Sequence, residues 1–141
     1  MPRSRKLLCA AYMAISIAAL ILTWSQNVAY RNDIAGFLGH FVHDTKSTPA
    51  ARSIMVDLML LTLAAMIFMV VEGRKRAIRF VWAYVAGGAI IGISVAFPLF
   101  LLARELRGTS ADPVRLETVD GIALSVLWVL MGIAAIYVGT A

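Results

Sequence analysis

Three groups of residues in this chain have the types and spacing to do chemistry. Asp57 is the lone acid of an apolar run, Ser53–Val71, and Arg104 follows directly on a second run, Ile78–Ala103. His40, His43 and Asp44 share one face of a short amphipathic stretch, and Asp120 stands at the start of the last apolar run. An ionisable group inside such a run costs up to about 3 kcal/mol on insertion scales and needs a partner. Arg104 is the expected partner of Asp57: the pair either pins two helices as a salt bridge or frames a site for a polar headgroup or small molecule. Proton translocation is the poorer reading, because only Ser94 and Thr62 are polar near the middle of these two runs. Histidines at i and i+3 beside a carboxylate can converge on a metal, with Asp57 able to complete the set, but a solvated polar face explains the same residues. Nothing matches a Ser/His/Asp triad, a phosphate-binding loop or an Asp-rich prenyl-diphosphate motif, so no catalytic residue is assigned and no cofactor is expected.

The elements that must position these groups are apolar and long. Apolar residues make up 61% of the 141 and charged residues 15%, too little polarity for a soluble domain of this size, so the expected solvent is lipid. The net charge of +5 comes from short basic clusters flanking apolar runs, which points to a bilayer and away from nucleic acid. The single Cys9 excludes an internal disulfide.

Four transmembrane helices are expected, at about 7–24, 53–71, 78–103 and 120–140, in one membrane domain covering 1–141. The first follows a basic N-terminus and reads as a retained helix, since its apolar run is long for a signal peptide and no A-x-A site follows. Between the first two lies an amphipathic helix at about 33–44, capped by Asn32-Asp33. Its Ile34, Phe37, Leu38, Phe41 and Val42 would lie on the membrane surface or close over the bundle. Thr48-Pro49 is a start signal for the next helix, with Thr48 as cap and Pro49 at its first position. Met55, Met59, Met66 and Met69 on that helix invite a copper reading, but apolar packing explains them better. In the third run Gly88, Gly92 and Ala96 form a small-xxx-small ridge for close helix packing, within the chain or in a dimer. Pro98 should kink its outer end. The basic residues Arg3, Arg5, Lys6, Arg74, Lys75, Arg76 and Arg79 fall in two short segments, which predicts an N-in/C-in topology with Arg104 at the outer surface.

The central stretch resembles a family of small bacterial membrane proteins catalogued as domain of unknown function 2834. The resembling residues are Asp57 within Val-Asp-Leu-Met-Leu-Leu, then Val71-Glu72-Gly73-Arg74-Lys75, then Phe97-Pro98 through Arg104. The likeness covers about Leu7 to Arg107, and it implies integration in a bacterial membrane without supplying an activity.

The expected fold is therefore an all-α membrane protein, a four-transmembrane-helix bundle with a short amphipathic interfacial helix in its first outer loop. The expected function is that of an accessory protein of the bacterial inner membrane, packing with itself or a larger complex through the glycine ridge. The alternative is a binder, carrier or enzyme for a lipophilic small molecule at an outer-leaflet site near Asp57 and Arg104.

Overall fold

The computed structural model describes residues 3–28, 36–107 and 118–139. Among these the chain is helical, with no strand. Helix α1 is Arg3–Asn27, α2 is Phe37–Thr45, α3 is Pro49–Lys75, α4 is Val81–Gly87, α5 is Ile93–Arg107 and α6 is Thr118–Gly139. By length and composition alone three stretches could cross a membrane, Arg5–Asn27, Pro49–Lys75 and Val81–Arg107, although the last is folded back on itself.

Helix α3 starts as its sequence dictates. Thr48 is extended, its hydroxyl accepts a hydrogen bond from the Ala51 amide at 3.1 Å, and Pro49 fills the first helical position, where no N–H is needed. It ends in a six-to-one cap: the Ile78 amide donates to the Gly73 carbonyl at 2.9 Å, with Ala77 left-handed at φ 49 and Ile78 buried beyond it.

The expected single helix over 78–103 is not a single rod. Val81–Gly87 and Ile93–Arg107 are joined by a π-helical turn, Gly88–Gly92, in which Gly92 has φ +137, a conformation L side chains rarely adopt. The chain doubles back there. The ring centroids of Tyr84 and Phe100 lie 5.8 Å apart, although a straight helix would separate those positions by about 24 Å. Arg107 likewise reaches the Ala77 carbonyl. Helices α4 and α5 thus form a hairpin against α3, and Pro98 lies buried within α5 while the bend falls at Gly92.

The small residues make this hairpin close. A Cβ built on Gly87 would lie 3.6 Å from Ala96 Cβ, and one on Gly88 would meet Ile93 Cδ1 at 3.1 Å and Met66 Cε at 3.5 Å. A Cβ on Gly73 would collide with Val81 Cγ2, so α3 and the start of α4 approach at glycine distance. Gly88 and Ala96 are therefore used within the chain, and Gly92 is a hinge rather than part of a continuous ridge. The core lies between α3, α4 and α5: Met69 and Phe100 are fully buried, ringed by Ala65, Ile78, Val81 and Ile93. The edges of Phe68 and Tyr84 meet the Phe100 ring. Met66 and Met69 of the methionine stripe pack here, while Met59 is exposed.

Helix α1 runs antiparallel to α5. Its Ser16 hydroxyl shares its one proton between the Tyr12 carbonyl of α1 at 3.0 Å and the Val95 carbonyl at 3.2 Å, and its Trp24 indole donates to the Ile91 carbonyl at 3.0 Å. Helix α6 packs against α1, with its described side chains exposed.

Candidate functional site

The doubled-back chain brings distant charges to one end of the molecule. Arg104 Nε lies 2.9 Å from Glu72 Oε1, and Arg76 Nε lies 2.6 Å from the same oxygen. Arg104 Nη1 reaches Glu105 Oε1 at 3.4 Å, and Glu105 Oε2 lies 3.7 Å from Arg5 Nε. The chain Arg5–Glu105–Arg104–Glu72–Arg76 therefore ties α1, α5 and α3 together through two acids. Both carboxylates are largely covered, Glu72 with 15% and Glu105 with 14% of the side chain exposed. A charge-assisted network of this kind is stronger than isolated surface pairs, because each carboxylate is held by groups already fixed on helices.

The local sequence explains each position. Glu72 and Arg76 are four apart at the end of α3, acid N-terminal to base, the favoured order on a helix. Arg104 and Arg107 lie in the last turn of α5, where cations complement the exposed carbonyls of a helix C-terminus. Beside this network a cleft of about 550 Å3 is lined by Glu72, Lys75, Arg76, Ala77 and Arg107.

The expected partnership of Asp57 and Arg104 is absent from this arrangement. Arg104 binds Glu72, fifteen residues along α3 from Asp57, a separation of about 22 Å. The reason is the reversal at Gly92, which returns α5 to the end where α3 finishes. Asp57 is exposed on α3. Asp120 lies in the first turn of α6 and is exposed.

Helix α2 presents His40, His43 and Asp44 outward, with Phe37, Phe41 and Val42 half-buried and the two phenylalanine rings stacked at 5.8 Å. The expected cap Asn32-Asp33 and Ile34 lie outside the described residues, and Gly36 occupies the cap position. His43 Nδ1 is 3.5 Å from Asp44 Oδ1. Among the described residues, no group of three or more His, Cys, Asp or Glu side chains is placed to hold a metal ion.

Sequence reasoning pairs Arg104 with Asp57 and so misses Glu72 as its partner, and it misses Glu105 and the tie from it to Arg5. The signal was the run Arg104-Glu105-Leu106-Arg107, too basic for a predicted outer end. No curated protein and no solved structure matches the chain. The model of the family described as "Protein of unknown function DUF2834" matches residues 11–106, from within α1 to the last turn of α5, and the chain belongs to that family.

Proposed function

We propose that the chain is an accessory protein of the bacterial inner membrane, oriented with its basic end in the cytoplasm and associating with other membrane helices. The observation that carries the reading is the division of its surface. The basic residues of the N-terminus, of the 72–79 turn and of the end of α5 share one end, held by the network around Glu72 and Glu105. Among the described residues the outer apolar side chains of α3 and those of α6 stay exposed, with Leu60 64%, Leu130 58% and Ile133 62% exposed. Positive residues mark the cytoplasmic side, so Arg104 and Arg107 join the inner set and the expected outer placement of Arg104 is given up. The hairpin returns to the side it leaves, so a crossing by α6 would be the third and would place the C-terminus outside, opposite to the expected C-in arrangement.

The outer-leaflet binding site near Asp57 and Arg104 loses its motive, since the two residues lie at different depths. Association is read instead from α6, an apolar helix whose described side chains are exposed beside α1. Gentle extraction followed by native mass spectrometry tests this. A defined oligomer or a stoichiometric partner, lost in Leu130→Gln with Ile133→Gln, is expected. A uniform monomer would overturn the accessory reading. Orientation is tested separately: in spheroplasts, cysteines at Lys75 and Arg107 should resist an impermeant maleimide while one at Lys46 reacts.

A further inference from the structure

We propose that the cleft between the end of α3 and the end of α5 binds a phosphate-bearing anion, with Lys75 and Arg107 as its principal contacts. This goes beyond the accessory reading and does not depend on whether the chain has a protein partner.

The argument starts from which cations are already engaged. Arg76 and Arg104 are held by Glu72, and Arg5 by Glu105. Arg107 uses Nη1 on the Ala77 carbonyl, which fixes its guanidinium over the turn while its other N–H groups keep their donor capacity. Lys75 makes no hydrogen bond or ion pair among the described residues, and it lines the same cleft. A planar fork and a mobile ammonium are the pair of cations that phosphate oxygens accept best, one by directed bonds and one as a point charge. Glu72 would repel an anion if unpaired, but two arginines on its Oε1 offset its charge.

Helix C-termini alone would account for basic residues at this end. They do not account for the cleft between them, a hollow of about 550 Å3 that is largely open to the surface. The cleft also lies where the apolar stretches of α3 and α5 finish, the level at which lipid phosphates sit. A phosphodiester headgroup and a free phosphate share the recognised chemistry, and experiment separates them.

The full chain is reconstituted in vesicles of phosphatidylcholine mixed with phosphatidylglycerol, and retained phosphatidylglycerol is counted by native mass spectrometry. Lys75→Gln and Arg107→Gln should each lower occupancy about fivefold, and together about 20-fold. Lys6→Gln, an exposed cation at the same end but outside the cleft, should change it by less than about twofold. Arg107→Lys, which keeps the charge but loses the fork, should bind between the wild type and Arg107→Gln, and an unfolding midpoint of Arg107→Gln equal to the wild type's shows that its loss is not misfolding. Inorganic phosphate is added in a second arm. Displacement of the lipid assigns the site to a soluble phosphate, and retention assigns it to the headgroup. Equal occupancy in the wild type and the double variant would overturn the proposal. So would a Lys6→Gln effect as large as that of Lys75→Gln, because the attraction would then be diffuse.

Discussion

The reversal at Gly88–Gly92 makes one demand that no straight helix can meet. Gly87 and Ala96 are nine residues apart, which is about 13 Å along a continuous helix. In the hairpin, the Cβ of a residue at 87 would lie 3.6 Å from that of Ala96. Disulfides form when Cβ atoms are about 3.5–4.5 Å apart, so Gly87→Cys with Ala96→Cys, in a Cys9→Ser background, should close a bridge on mild oxidation. The site has room for it, because Ala96 Cβ is the one atom a Cβ at 87 would approach within 4 Å outside its own helix. A closed loop of about ten residues stabilises by roughly 2.7 kcal/mol on the chain-entropy relation, an upper figure where the unfolded chain keeps helix in detergent. The assay counts free thiols with a mass-tagged maleimide before and after oxidation, then compares unfolding in mixed micelles with and without reductant. Loss of both thiols within a monomer, with added stability that reductant removes, is the expected result. Two thiols that stay reactive, or that bridge only between copies, would refute the hairpin. Asp57→Cys with Arg104→Cys should stay open under the same conditions.

The same hairpin sets the remaining expectations. Gly92→Ala should destabilise by about 1–3 kcal/mol although a Cβ there touches nothing, because the cost is in the backbone at φ +137; Gly39→Ala, also in open space but inside α2, should be neutral or stabilising by up to about 1 kcal/mol. Glu72→Gln should cost about 1–3 kcal/mol in mixed-micelle unfolding, since it strands Arg104 and Arg76, whereas Asp57→Asn should cost less than about 0.5 kcal/mol; equal effects would mean that the network does not hold the helices together. Phe100→Ala empties the centre of the core and should cost about 3–5 kcal/mol, against under about 0.5 kcal/mol for the exposed Phe80→Ala.

The sequence was most informative where local chemistry decides the structure. The apolar runs mark the helices, Thr48-Pro49 starts α3, and Glu72 with Arg76 is an ordinary helical pair. It was least informative at the reversal, and the reason is physical. In lipid an apolar face is no evidence of a core, so Ile78–Ala103 shows the same composition whether it runs straight or folds back. Gly88, Gly92 and Ala96 keep helical spacing by sequence, yet the spacing has no meaning across a bend. Two signs pointed the other way: the run was longer than one span requires, and it carried basic residues at both ends. Taken together, they describe a chain that leaves the basic surface and returns to it.

That return leaves backbone groups to be satisfied inside an apolar environment, where each unmet carbonyl or amide would cost several kcal/mol. Pro98 adds to the burden by denying its i−4 carbonyl an N–H. The carbonyl Pro98 frees is that of Ser94, and on either side of it α1 supplies donors: Trp24 to the Ile91 carbonyl and Ser16, whose proton is shared with Tyr12, to that of Val95. Helix α1 is therefore a structural part of the hairpin rather than only an anchor, which is why its strongest packing is against α5. It also explains why Trp24, near the end of α1, turns its indole N–H toward protein. A hairpin whose tip is held by α1 and whose base is held by Arg104 on Glu72 is fixed at both ends. The charges at the basic end thus hold the base of the fold while leaving Lys75 and the rest of the Arg107 fork available to an anion.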